Sequence, residues 1–165
     1  MSVNNNKAFY RAAKEGNIGK FFDLLRKDDI DVNWVNDEWH GFTPIHMGSA
    51  GGHTIIVSKL ISKNADINKY NNYNETPLLY ASLWGNVDIV QMLLSEGANY
   101  HTIDIYGRTP REASCRYDKI VNKKEIVDIF DRWPVTMTIL CLKEIGLYHW
   151  VDMSLIDLNE FIGAN

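Results

Sequence analysis

The sequence predicts an all-α solenoid in which stacked helix-turn-helix units have β-turn tips and a helical cap closes the C-terminal end. Three observations predict it. The dipeptide Thr-Pro recurs at residues 43–44, 76–77 and 109–110, so the chain repeats every 33 residues. Each Thr-Pro begins two apolar stretches with helical spacing, which a turn pair such as Gly52-His53 or Gly85-Asn86 divides. Repeats of this length are typical of units that bury their apolar faces only against copies of themselves.

Residues 76–99 contain every signal of one such unit. Thr76 can cap a helix with its hydroxyl oxygen, and Pro77 suits the first helical turn because no hydrogen-bond donor is needed there. Gly85-Asn86 predicts the break between the two helices. Gly97 predicts the end of the second helix, since glycine tolerates the left-handed conformation. The apolar residues of that second helix recur at helical spacing: Val87, Ile89, Val90, Leu93 and Leu94.

The copies of this unit differ in regularity. Residues 7–25 repeat the helix pair without the Thr-Pro start, and lysines interrupt the apolar pattern, so we predict an N-terminal cap repeat with one polar face. Two regular repeats follow. In the fourth repeat, Thr109 and Glu112 predict a reciprocal capping box, and four additional residues before its second helix make this repeat irregular. We therefore assign residues 1–133 to the repeat array.

The 33-residue period, the sequence Thr-Pro-Ile-His at residues 43–46 and the pair Gly52-His53 resemble the ankyrin repeat, which is a β-turn followed by two helices. The resemblance implies that Thr43 and His46 hydrogen-bond across the helix start, and this is the role that we assign to His46. It also implies an interaction module that binds another protein through a concave face and the β-turn tips. The identity of that partner does not follow from the sequence.

The composition disfavours several classes of protein. The 165 residues are 45% hydrophobic and 23% charged, which is typical of a globular chain with a core. The formal charge of −4 disfavours nucleic acid as a partner, because phosphate binding requires a basic face. The longest apolar run, residues 135–142, is too short to cross a bilayer, and the start of the chain shows no signal-peptide pattern. The chain has only two cysteines, Cys115 and Cys141, so we expect reduced thiols and a cytoplasmic or nuclear location. We also expect a monomer that does not bind a membrane.

The sequence shows no catalytic pattern. It has no Gly-x-Ser-x-Gly elbow, no Cys-x-x-Cys pair and no His-Glu-x-x-His helix. Residues 48–52 are as rich in glycine as a phosphate loop, but they lie at the end of a predicted helix, where small residues favour close helix packing. The histidines show no metal-ligand spacing. We therefore predict a protein that is not an enzyme and that holds no metal or other cofactor.

Candidate binding residues lie at the β-turn tips and on the solvent side of the first helices, where the repeat needs no particular side chain. The connection between residues 25 and 43 is three residues longer than its equivalents and contains Trp34 and Trp39. Aromatic side chains at such places favour binding, because they dominate the energetics of protein interfaces. The alternative is that some of these rings pack on one another between neighbouring tips. We predict partner-binding residues at Trp39, His40, Phe42, Asn72, Tyr73, Leu83, Trp84, Ile105, Tyr106 and Arg108, with Ala50, Gly51 and Glu75 on the same surfaces.

Residues 134–165 are predicted to form a C-terminal cap of two helices. The fourth repeat is expected to end in a helix at residues 125–132, and Trp133-Pro134 marks the start of a new one. We favour a lid that covers the last repeat. Alternatively, residues 136–145 resemble the elongin-binding box of SOCS-box proteins, although methionine replaces the usual leucine and no cullin-contacting Leu-Pro motif follows. That resemblance implies a substrate-recruiting adaptor of a ubiquitin ligase, with the box positions at Thr136, Met137, Cys141 and Ile145.

Overall fold

The computed structural model describes residues 2–116 and 122–144, and the side chains of residues 4–116 and 122–134. The chain divides into two compact units, residues 1–129 and 130–165. The described residues form eight α-helices, a short 3₁₀ helix at Asp37–Trp39 and one isolated β-bridge, which confirms the predicted all-α class. The α-helices are α1 (Ser2–Glu15), α2 (Ile18–Leu25), α3 (Pro44–Ala50), α4 (Thr54–Ile61), α5 (Pro77–Leu83), α6 (Val87–Ser95), α7 (Pro110–Ala113) and α8 (Lys123–Glu144).

The helices of the first unit form two layers. The first-helix layer consists of α1, α3, α5 and α7, which pack side by side in chain order. The second-helix layer consists of α2, α4 and α6, and each of these helices also packs on the first helix of its own repeat. The predicted solenoid of stacked helical hairpins is therefore confirmed, and neighbouring hairpins cover one another's apolar faces.

Threonine caps begin the first helices, as the sequence predicts. The Thr76 hydroxyl accepts a hydrogen bond from the Leu79 N–H at 3.3 Å. The Thr109 hydroxyl accepts from the Glu112 N–H, and the Glu112 carboxylate accepts from the Thr109 N–H at 2.8 Å, which confirms the capping box. At the other end of a repeat, Gly97 has a φ of 86° and terminates the turn after α6. The hydrogen bonds of Thr76 and Thr109 satisfy N–H groups that the first turn of a helix leaves unpaired.

Side chains from the following repeat contact the carboxyl ends of the first helices. Nε2 of His53 lies 3.2 Å from the carbonyl oxygen of Lys14, and the side-chain amide of Asn86 donates to the carbonyl of Ser49 at 2.6 Å. The side-chain amide of Asn122 donates at 3.2 Å to the carbonyl of Gly85, in the turn after α5. Carbonyls at the end of a helix have no hydrogen-bond donor within the helix. Here a side chain of the next repeat serves as the partner, so each contact joins two successive repeats.

The core lies between the two layers and within each helical hairpin. The rings of Phe9 and Phe21 stack between α1 and α2 with their centroids 4.6 Å apart. Leu93 in α6 has no exposed surface. The fully buried large apolar side chains of the described residues are Phe9, Phe21, Ile45, Ile56, Leu60, Leu78, Leu79, Ile89, Leu93, Leu94 and Ile126.

The first helix begins at Ser2, five residues earlier than the sequence predicts. Its first turns contain three consecutive asparagines, which have low helix propensity. Two of them contact the long connection after α2. The Asn6 side chain accepts from the Asp31 N–H at 3.0 Å, and the Asn5 amide donates to the Asp29 carboxylate at 2.9 Å. Tertiary contacts thus stabilise a helical segment that local propensity does not favour.

The predicted division of the C-terminal helices at Trp133-Pro134 is wrong. A single helix, α8, runs from Lys123 to Glu144, with Pro134 inside it. An internal proline removes one main-chain hydrogen bond and crowds the preceding turn, at a cost of about 3 kcal/mol, but it can bend a helix without ending it. The apolar residues keep helical spacing on both sides, so the helix continues. The domain boundary at residue 133 stays a prediction, and the last predicted helix lies outside the described residues.

Candidate functional site

Three β-turn tips connect the repeats: tip one (residues 36–42), tip two (residues 71–75) and tip three (residues 104–108). In tips two and three, a side-chain oxygen of the first residue, Asn71 or Asp104, accepts hydrogen bonds from two N–H groups of its own turn at 2.8 to 2.9 Å. Such bonds between a side chain and its own turn fix the turn conformation.

Main-chain hydrogen bonds join the three tips into a ladder. The Asn72 N–H donates to the His40 carbonyl at 2.9 Å, and the Ile105 N–H donates to the Tyr73 carbonyl at 3.0 Å. Donors and acceptors of the two bonds are each 33 residues apart, so the same joint is used twice. The ladder therefore fixes the positions of the tips relative to one another.

Trp39 is the most prominent side chain of tip one. It is 55% exposed, and Nζ of Lys14 lies 4.4 Å from the centroid of its ring. A second lysine of α1, Lys7, forms an ion pair with Glu38 at 2.7 Å. The enlarged connection is therefore attached to α1 by a cation–π contact and an ion pair next to an exposed indole. This agrees with the predicted placement of Trp39.

Phe42 is buried, contrary to the prediction that it faces solvent at the tip. Only 7% of Phe42 is exposed. Its ring meets the ring of Tyr80 edge to face at 5.0 Å and that of His46 at 5.6 Å. These aromatic contacts join tip one to α3 and α5, so Phe42 stabilises the stacking of repeats.

Leu83 is also buried, contrary to the prediction that it lies on the solvent side of its helix. Leu83 is 5% exposed and forms a buried cluster with Leu79 and Ala113, which joins α5 to α7. Its neighbour Trp84 is 54% exposed and agrees with the predicted surface position. The difference arises because α7 covers the side of α5 on which Leu83 lies.

The second tip shows the alternative in which rings pack between neighbouring tips. The rings of His40 and Tyr73 lie 5.0 Å apart at a tilted angle. His40 and Asn72 are exposed, and Tyr73 is half-buried. These three residues are therefore brought together at one joint of the ladder, where part of the Tyr73 ring contacts the protein itself and part faces solvent.

The third tip has two large apolar side chains that are more than half exposed. Tyr106 is 63% exposed and Ile105 is 54% exposed, as predicted for binding residues. Ile103, which precedes the tip, is 56% exposed, although it is not among the binding residues that the sequence predicts. The signal that could have found Ile103 is the 33-residue correspondence with Tyr70, which is also exposed.

Arg108 contributes to the fold, contrary to the prediction that the repeat needs no particular side chain at this position. Its side chain is only 18% exposed and forms ion pairs with Asp104 at 2.5 Å and with Glu75 at 3.7 Å. Glu75, also placed on the binding surface by the sequence, is buried and accepts from the Asn71 amide at 2.8 Å. Burial alone would raise the pKa of Asp104, but hydrogen bonds from Arg108 and the turn, with the guanidinium charge, hold that pKa below its usual range.

His46 joins α3 to tip two, and its contacts define its protonation. Nδ1 accepts from the Thr43 N–H at 3.2 Å and lies 2.8 Å from the Thr43 hydroxyl oxygen. Nε2 lies 3.1 Å from the Glu75 carbonyl oxygen, so it must bear the hydrogen of a neutral ring. Burial lowers the pKa of His46 to about 4, against smaller opposing effects of its hydrogen bonds. The Thr43–His46 bond that the resemblance implies is confirmed.

Across residues 2–116 and 122–144, no group of three His, Cys, Asp or Glu side chains is positioned to hold a metal ion. Over the same residues, no helix is both long and apolar enough to span a membrane. Cys115 is a free, exposed thiol.

The fold and these tips define a solenoid repeat protein with a row of exposed apolar side chains. The sequence profile of ankyrin repeats matches residues 9–104 as three copies, which is more than half of the 165 residues. The chain therefore belongs to the ankyrin repeat family. Ankyrin repeats are generally non-enzymatic modules of protein–protein interaction, so a protein is the class of partner that the family membership supports.

Proposed function

We propose that this protein binds a partner protein through the three tips and the solvent side of the first-helix layer. One observation carries the proposal. Four large apolar side chains of this surface are each more than half exposed, where solvent would favour polar residues. They are Trp39 (55% exposed), Trp84 (54%), Ile105 (54%) and Tyr106 (63%).

The tips are also organised before any partner arrives. The main-chain ladder holds them in fixed order, and Lys14 contacts the ring of Trp39 at 4.4 Å. Ordering a side chain at an interface costs about 0.5 to 1.5 kcal/mol, so side chains that are already positioned lose less on binding. Aromatic anchors of this kind contribute most of the energy in many interfaces.

Replacing Trp39 and Tyr73 together with alanine is expected to weaken partner binding by more than about 2 kcal/mol, or roughly 30-fold, because the row loses two aromatic contacts. The melting temperature should change little, since one ring is exposed and the other half-buried. The measurement is capture from an extract of the native host on the immobilised wild-type chain, followed by titration of the captured protein.

The matched control replaces Ile18 and Ile55, which are 44% and 57% exposed in the second-helix layer. This control should bind the captured protein as the wild type does. Equal binding by the Trp39 and Tyr73 variant, or a large loss of its melting temperature, would contradict the proposal.

We further propose that the chain acts as a cytoplasmic or nuclear monomer and binds neither nucleic acid nor membranes. The formal charge of −4 supports this, because nucleic acid and anionic lipid surfaces attract basic faces. The ubiquitin-ligase adaptor stays a prediction from residues 136–145, since their side chains lie outside those described. The lid formed by residues 134–165 is likewise a prediction.

A further inference from the structure

We propose that tip three is the open end of the main-chain ladder, to which a partner protein adds an extended segment as the next step. This inference rests on the proposed function and specifies the partner's chemistry at one place on that surface. The carbonyl oxygen of Tyr106 is the acceptor, and a main-chain N–H of the partner is the donor.

The repeat geometry identifies this acceptor. The carbonyls of His40 and Tyr73 each accept an N–H from the next tip, at 2.9 and 3.0 Å. The residue 33 positions further along is Tyr106, which is 63% exposed. Within residues 2–116 and 122–144, no N–H donates to the Tyr106 carbonyl. Among the described residues, the third acceptor of the series thus has no main-chain donor, unlike the first two.

The opposite end of the ladder is closed. The donors of the two joints are the N–H groups of Asn72 and Ile105, and the equivalent donor in tip one is that of Trp39. The Trp39 N–H donates at 3.1 Å to the Asn36 carbonyl, within the 3₁₀ turn of the enlarged connection. In a second copy of this chain, the three equivalent N–H groups are therefore already bonded. A second copy cannot donate any of them to the Tyr106 carbonyl and so cannot extend the ladder by the same joint. The ladder geometry therefore favours a different protein as the occupant.

The surroundings of the open carbonyl specify the side chains of that segment. Ile103, Ile105 and Tyr106 are 56%, 54% and 63% exposed. The nearby guanidinium of Arg108 pairs with two carboxylates, those of Asp104 and Glu75, so the site offers apolar contact beside a slight excess of negative charge. An extended segment with aliphatic or aromatic side chains fits this site, as in other cases where a peptide adds to an exposed main-chain edge.

The test uses the full chain to select from displayed linear peptides of about ten residues, which is the length of one strand. The tightest peptide is then synthesised as a series in which a methyl group replaces one N–H hydrogen at a time. We expect methylation at one position to lower the affinity about five- to tenfold, the contribution of one hydrogen bond. Binding should shift the carbonyl ¹³C resonance of Tyr106 and leave those of His40 and Tyr73 unchanged.

Protein variants provide the second arm. Ile103→Ser combined with Ile105→Ser should lower peptide affinity at least about tenfold, since two apolar contacts are lost. Ile18→Ser with Ile55→Ser, of similar exposure in the second-helix layer, should have no effect. Failure to enrich any peptide, or equal binding by every methylated peptide, overturns the inference. If only the Trp39 and Tyr73 variant loses binding, this inference is overturned but the proposed function is supported. If binding survives all of the tip substitutions, both are contradicted.

Discussion

Replacing Leu93 with alanine is expected to lower the free energy of unfolding by about 2 to 5 kcal/mol. Leu93 has no exposed surface and lies in α6, which packs on both α4 and α5. Helices of two repeats hold the space around this side chain, so removing three carbon atoms leaves a cavity that cannot collapse fully. Urea denaturation followed by far-UV circular dichroism measures the change.

Ile55→Ala is the matched control, because it removes the same number of carbon atoms from a side chain that is 57% exposed in the adjacent helix α4. Its effect should stay within the range of about 0.5 kcal/mol that is usual for surface substitutions. If Leu93→Ala were as mild as this control, the packing of α6 between neighbouring repeats would be contradicted.

Acid is expected to remove about 2 to 3 kcal/mol of stability through His46 alone between pH 7 and pH 4.5. The unfolded histidine takes up a proton near pH 6.5, while burial holds the pKa of the folded ring at about 4. Between these values the unfolded state binds more protons, so the free energy of unfolding falls as the pH falls. The loss continues through about pH 4, where the folded ring is half protonated, and levels off about one pH unit lower.

Other groups titrate in the same range, so the prediction is a difference between two proteins. The control is His46→Gln, whose amide cannot titrate but can still reach Thr43 and the Glu75 carbonyl. The wild type should lose more stability between pH 7 and pH 4.5 than this variant, by the amount stated above. Equal acid sensitivity would show that His46 is not held neutral in the folded protein.

The repeat architecture could be predicted from the sequence because its signals are local. A threonine three residues before its partner, as in the pairs Thr43–His46 and Thr109–Glu112, specifies a cap within one helical turn. The start of α1 could not be predicted in this way, since Asn6 is stabilised by Asp31 in another segment. The passage of α8 through Pro134 was missed for a different reason: proline biases a helix to end but does not require it.

The binding surface could be predicted only in part, because burial depends on neighbours that are distant in sequence. Trp39 and Tyr106 are exposed as predicted. Leu83 occupies a position that the repeat leaves to solvent, but Ala113, 30 residues further along, covers it. Arg108 is directed to buried charges, one of which belongs to Glu75 in the preceding tip. Correspondence between repeats identifies equivalent positions, whereas packing between repeats decides which of them reach solvent.

The central claim is that a partner binds at the tips, and site-specific photocrosslinking tests it most directly. A benzophenone amino acid is placed in turn at Trp39, at Tyr106 and at Ile55, three positions that are 55%, 63% and 57% exposed. After illumination in an extract of the native host, the first two positions should form a covalent product with the same protein, and Ile55 should not. A product formed only from Ile55, in the second-helix layer, would contradict the account.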